Sequence, residues 1–291
     1  MNALEQGTFS ITIDAVRQVY HVAGRGPACL VHPGGPGFGW EYMRMSALEQ
    51  HLTMVYLEPV GTGDSGRLPD RRDYTIATWA RFVHSLVEHL DVPEVLLLGH
   101  SYGGFISQRY VLDHTDRLAG LILYATSPVL DAEFWGLAMQ RLNEFPQRHP
   151  DQPEAARIPQ AYLEALTATD DATFTARTRD ILPFYFADYW AHERELAPVR
   201  DGIRAWVEAL PVQEGEPMPF DVRDALGAIT VPSLVIVGEH DSLCAPRWSQ
   251  LLHDGIPGSH LRILPGGGHM AHLEVPEAFT RAVVEFVAGE S

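Results

Sequence analysis

Val95-Leu96-Leu97-Leu98-Gly99-His100-Ser101-Tyr102-Gly103-Gly104 sets an apolar run against a glycine-flanked serine, and Phe105, Arg109 and Tyr110 carry a helical pattern onward. A buried strand that turns sharply into a helix has this form. The glycines stand where a side chain would collide with neighbouring backbone, and the turn pushes the Ser101 hydroxyl outward. Ser101 is therefore a candidate nucleophile, and His100 beside it a candidate substrate contact.

Short apolar runs of the same kind recur at 29–32, 54–57, 121–124, 233–237 and 260–264, with helical patterns between them. Strands that alternate with helices and are apolar on both faces predict an α/β fold, with a mostly parallel central sheet flanked by helices. The segments 8–13 and 17–21 alternate apolar and polar residues and predict an antiparallel hairpin at the sheet's edge. Trp79, Phe82, Val83, Leu86, Val87 and Leu90 fall at helical spacing and predict a crossover helix whose apolar stripe packs on the core.

The rhythm breaks after 127. Roughly 100 residues then separate two strand signals, where a crossover needs about a dozen. The excess predicts an inserted helical cap at 128–224 on a catalytic domain formed by 1–127 and 225–291. Prolines punctuate it, and Phe184, Tyr185, Phe186, Tyr189 and Trp190 form an aromatic cluster. Phe184, Tyr185, Tyr189 and Trp190 are candidate substrate contacts if the cap lies over the sheet's C-terminal edge, where open α/β sheets bind ligands. The alternative is that they form the cap's own small core.

A serine hydroxyl is a weak nucleophile at neutral pH and needs a base held in the right tautomer. Of 14 histidines, His269 lies in Pro265-Gly266-Gly267-Gly268-His269, a glycine-rich loop after the last strand signal. From there it can reach the edge that carries Ser101; His272 is its nearest competitor. The acid that orients the base should follow an earlier strand, and Gly238-Glu239-His240-Asp241 supplies Asp241, with Glu239 as the rival carboxylate. His32-Pro33-Gly34-Gly35-Pro36-Gly37 follows the first parallel strand. A stiff glycine-rich loop there can aim backbone N–H groups at the charge that develops on an attacked carbonyl. The expected oxyanion donors are the N–H groups of Gly35 and Tyr102, with Gly34 as the alternative to Gly35.

These stretches resemble the α/β-hydrolases, and within them the proline iminopeptidase-like group. The likeness runs through Gly34 to Gly37, Gly99 to Gly104, Gly238 to Asp241 and Gly268 to Glu277. It implies the α/β-hydrolase fold with a cap, the chain order Ser101, Asp241, His269, and hydrolysis of an ester or N-terminal amide in a small substrate or short peptide. Members of similar pattern also include esterases, lactonases and C–C bond hydrolases. Two departures bear on the peptidase: Pro33 is an extra residue before the glycine pair, and Glu58-Pro59-Val60-Gly61-Thr62-Gly63-Asp64-Ser65 replaces an Asp-Gln-Arg-Gly opening. Glu144, Glu164, Glu193, Glu195 and Glu208 could meet a substrate amine or simply form solvated helix faces. A serine at the turn argues against the resembling dehalogenases and epoxide hydrolases, which carry aspartate there. A ligand receptor that kept the fold and lost turnover is the reading from outside catalysis.

Bulk properties agree with a compact enzyme. The formal charge is −17, from 38 acidic against 21 basic residues, and such a surface repels nucleic acid and anionic lipid. Two cysteines, Cys29 and Cys244, are too few for a disulfide framework and are expected to be buried or semi-buried thiols. No nucleotide fingerprint or metal-ligand spacing occurs, so neither cofactor nor metal is expected. The N-terminal stretch lacks a signal-peptide pattern and no run of eighteen apolar residues occurs, which predicts a cytoplasmic protein with no membrane partner.

Overall fold

The computed structural model describes residues 3–210 and 220–289; the part of the expected cap at 211–219 lies outside them. In chain order the strands are β1 (Gly7–Ile13), β2 (Val16–Gly24), β3 (Ala28–His32), β4 (Thr53–Glu58), β5 (Val95–His100), β6 (Leu118–Tyr124), β7 (Val129–Leu130), β8 (Phe220–Asp221), β9 (Ser233–Gly238) and β10 (His260–Leu264). Eight of them make one sheet in the order β1-β2-β4-β3-β5-β6-β9-β10, and β7 pairs with β8 in a separate ribbon. From β4 to β10 every pairing in the sheet is parallel; β1 and β2 form the antiparallel hairpin at its edge.

Successive strand residues serve opposite faces, because side chains alternate across a strand. Leu30, Val55, Leu97, Leu121 and Val235 belong to a core shared with α1 (Ile76–Leu90), α2 (Tyr102–Asp113) and α7 (Pro246–Gly255). Val31, Tyr56, Leu98, Ile122 and Ile236 belong to the core on the other face, shared with the C-terminal helix Pro276–Ala288. Helix α1 shows why the sequence folds so locally. Thr75 accepts a hydrogen bond from the Thr78 N–H at 3.1 Å to cap its start, all six residues of its predicted stripe are buried, and Asp91 ends it in the left-handed region.

Among the described residues between β7 and β8 are four α-helices: α3 (Ala132–Arg148), α4 (Ile158–Leu166), α5 (Asp171–Ile181) and α6 (Glu193–Gly202). The antiparallel β7–β8 ribbon joins the two ends of this insertion. In the sheet, His100 pairs with Tyr124, Tyr124 with Ile236, and Gly238 with Leu264, so β5, β6, β9 and β10 end along one edge. The loops that follow β3, β5, β9 and β10 carry Gly34 and Gly35, Ser101, Asp241 and His269.

Candidate active site

At the end of β5 the chain reverses through Ser101, which has φ 52° and ψ −116°, a strained conformation for a residue with a side chain. The strain is held by hydrogen bonds on either side. The Ser101 N–H donates to the Tyr124 carbonyl and the Gly104 N–H donates to the Ser101 carbonyl, both at 2.9 Å. The turn needs glycine at 103, where a Cβ would stand 2.4 Å from the His32 carbonyl oxygen.

Asp241 and His269 meet. Asp241 is buried, and its Oδ2 accepts a hydrogen bond from His269 Nδ1 at 2.8 Å. Its Oδ1 accepts from the N–H groups of Leu243 and Cys244, at 2.9 and 2.7 Å, so the carboxylate is fixed at both oxygens. With Nδ1–H spent on Asp241, the lone pair of His269 lies on Nε2. Ser101 and His269 line one small cavity of about 20 Å³, together with Gly34, Gly35 and Tyr185. That space is the size of about one water.

A model described as alpha/beta hydrolase fold matches residues 27–276 of the sequence. The chain belongs to the alpha/beta hydrolase fold family. It is 28% identical, over 88% of each chain, to a protein carrying the name carbamate hydrolase RutD from Variovorax paradoxus. It is 27% identical to a proline iminopeptidase of Lactobacillus helveticus, over 90% of this chain and 89% of the relative. A solved alpha/beta fold family hydrolase from Bacillus anthracis superimposes with a TM-score of 0.75 over 98% of this chain and 99% of that one, at 18% identity, which is a likeness of fold alone.

The rivals within this alpha/beta hydrolase site are placed elsewhere. His272 spends both ring nitrogens on the fold, with Nδ1 3.0 Å from the Tyr124 hydroxyl and Nε2 2.9 Å from the Tyr42 carbonyl. Burial lowers its pKa to about 4. Glu239 is exposed, and its Oε2 accepts the Gly266 N–H at 3.4 Å. Cys29 and Cys244 are both buried and free.

Gly34 and His100 both enter a hydrogen-bond relay. The Gly34 N–H donates to the Tyr42 hydroxyl at 2.6 Å, so it is committed within the fold. The Tyr42 hydroxyl in turn donates to His100 Nδ1 at 2.8 Å, and His100 Nε2–H donates to the His269 carbonyl at 3.0 Å. Burial, with His269 and His272 close by, holds the His100 pKa well below its ordinary value, consistent with a neutral ring that accepts at one nitrogen and donates at the other. His100 lines the small cavity with its polar atoms already paired. The relay joins the glycine-rich loop to the histidine loop, and Tyr42, which falls in no motif, is its centre.

A larger cavity of about 420 Å³ opens beside Ser101, walled by Gly35, Pro36 and Tyr102 from the side of the sheet and by residues of the insertion. The aromatic cluster contributes less to it than expected. Tyr185 lines both cavities. Phe184 instead packs edge-on against Phe145 with centroids 5.4 Å apart, Trp190 lies on Phe145 and His149, and Arg200 sits over the Tyr189 ring at 5.5 Å. These three form the insertion's own core, because burying their area against neighbouring helices satisfies them as fully as a ligand would. None of Glu144, Glu164, Glu193, Glu195 and Glu208 lines the cavity. A third cavity, of about 280 Å³, lies behind Phe38 and Tyr42 and contains none of Ser101, Asp241 and His269.

The insertion holds each of the loops that border Ser101. Gly37 and Gly39 exchange backbone hydrogen bonds with Trp206 and Arg204 at 2.8 and 3.0 Å, Arg141 donates to the Asp241 carbonyl at 2.8 Å, and the His269 N–H donates to the Tyr185 carbonyl at 2.8 Å. The Glu274 carboxylate spans the last junction, accepting the N–H groups of Ala187 and Gly268, each at 2.6 Å. Among the described residues no group of three His, Cys, Asp or Glu is placed to hold a metal ion, and no helix is long and apolar enough to cross a membrane.

Proposed function

We propose that the protein hydrolyses an acyl bond of a small substrate through an acyl-enzyme on Ser101, with His269 as general base and Asp241 as the acid that orients it. One observation carries the reading: the 2.8 Å bond between Asp241 Oδ2 and His269 Nδ1, with His269 and Ser101 on the walls of one water-sized space. Ser101 Oγ attacks the carbonyl carbon while His269 Nε2 takes its proton, and buried Asp241 stabilises the imidazolium that results. The carbonyl oxygen takes up the negative charge, with the N–H groups of Gly35 and Tyr102 as its donors. Losing one such donor costs about 2.7 to 4 kcal/mol. His269 then returns the proton to the leaving group, and a water activated by the same nitrogen releases the acyl group.

The relatives' names differ in the bond cleaved, carbamate in one and N-terminal amide in the other. The bond class therefore rests on this chain's own site, and an ester or amide carbonyl is the common requirement. A fluorophosphonate probe tests the mechanism. It is expected to label Ser101, identified by peptide mass spectrometry, and to leave Ser101→Ala unlabelled. A wild-type protein that binds ester ligands yet resists the probe would instead be a receptor on a hydrolase frame.

A further inference from the structure

The large cavity narrows the substrate beyond the acyl-transfer reading on which this inference rests. Much of its wall is Phe105, Phe134, Trp135, Tyr162, Phe174 and Tyr185, and its volume of about 420 Å³ suits a drug-sized ligand. Arg71 is the one charged side chain that lines it among the described residues. Among the described residues no carboxylate does, so that part of the wall offers no counter-charge to a protonated amine, and an unpaired ammonium in apolar surroundings is strongly disfavoured.

Arg71 is placed to act on an anion. It is an exposed residue of the turn Arg71–Asp73, and one Nη2–H donates to the Val207 carbonyl at 2.8 Å, which tethers the guanidinium to the insertion. Among the described residues it forms no ion pair, while its neighbour Arg72 is paired with Asp70. A guanidinium has five N–H donors in a planar fork that matches a carboxylate, and a single carbonyl leaves most of them for a ligand.

We propose that the substrate is an ester whose bulky apolar part fills this cavity and whose far end carries a carboxylate held by Arg71, in place of a peptide with a free N-terminal amine. The 4-nitrophenyl monoester of a linear eight-carbon dicarboxylic acid, compared with its methyl-capped neutral twin, measures the contribution of the charge directly. Wild type is expected to favour the acid-ended ester about tenfold or more in kcat/KM, the size of one hydrogen bond to a charged group. Arg71→Gln should bring that ratio close to one, chiefly through KM, and Arg71→Lys should keep part of it. Proline 4-nitroanilide should be the poorest of the three substrates.

Equal turnover of the two esters by wild type would overturn the proposal, as would an Arg71→Gln variant that lowers both equally, which marks a purely structural tether to Val207. Faster cleavage of the proline anilide would overturn it in favour of an aminopeptidase. Failure of the acyl-transfer reading is distinguishable from all of these, since then no ester turns over and Ser101→Ala matches wild type.

Discussion

Around Ser101 the neighbouring chain itself is the packing partner, whereas much of the insertion is held by side chains. A Cβ on Gly103 would stand 2.4 Å from the His32 carbonyl, and one on Gly238 would stand 2.2 Å from the Gly268 carbonyl. In the insertion, a Cβ on Gly136 or Gly202 would meet nothing within 4 Å, and the aromatic rings pack at ordinary centroid distances of 5 to 6 Å. Backbone cannot retreat from a new atom as a flexible side chain can. The loops at the sheet's edge therefore tolerate little, while the insertion can exchange apolar side chains at modest cost so long as volume is kept. A fixed chemistry beneath an adjustable wall is the physical consequence.

The sharpest way to break that contrast is Asp241→Asn. The amide keeps the volume and disturbs the cavity wall little, but it removes the charge that sets the His269 tautomer, and kcat is expected to fall about 10⁴-fold on an aryl ester. A loss below tenfold would mean that the bond between residues 241 and 269 is merely structural. Next in size is a pair of glycine substitutions read by urea denaturation. Gly238→Ala forces its new methyl into the carbonyls of Gly267 and Gly268 and should cost about 3 kcal/mol or more. Gly136→Ala, exposed in the middle of α3, should instead add about 0.5 to 1 kcal/mol by helix propensity alone. Equal effects at the two positions would erase the contrast.

The same contrast explains what could be seen in the sequence. The turn at Ser101 is legible because its constraint acts within a few residues: an apolar strand, then glycines where only a hydrogen atom fits. Asp241 and His269 could be paired in advance because each follows a strand of a parallel sheet, and such strands end along a common edge. Tyr42 and Glu274 were not legible. Each acts by a hydrogen bond to a loop brought near by tertiary packing, Gly34 for one and Ala187 for the other, and no local pattern marks them. The run from Phe184 to Trp190 leaves two readings open in the sequence for a different reason. Aromatic density shows that area must be buried, and the same residues satisfy that need against Phe145 as well as against a ligand. Gly34 and Gly35 stay alternatives in the sequence because a glycine pair does not reveal which N–H is already spent.

Glu274 offers the finest test, because it sits where the two regions join. Burial raises its pKa above the ordinary carboxylate range, and the hydrogen bonds from Gly268 and Ala187 offset this only in part. The folded protein thus holds a proton there more readily than the unfolded chain does. Its contribution to stability is fully present below the unfolded carboxylate pKa and is lost as pH rises through the folded value. Glu274→Gln removes this titration while keeping one acceptor, so the stability advantage of wild type over the variant should fall as pH rises across that window and be flat above it. The new amide also turns an NH₂ group toward one of two backbone donors, so it frees either Gly268, next to His269, or Ala187 in the insertion. A parallel decrease of severalfold in kcat would show that the insertion helps hold the histidine loop. Identical pH slopes with unchanged kcat would show that the loops at the sheet's edge keep their geometry without it.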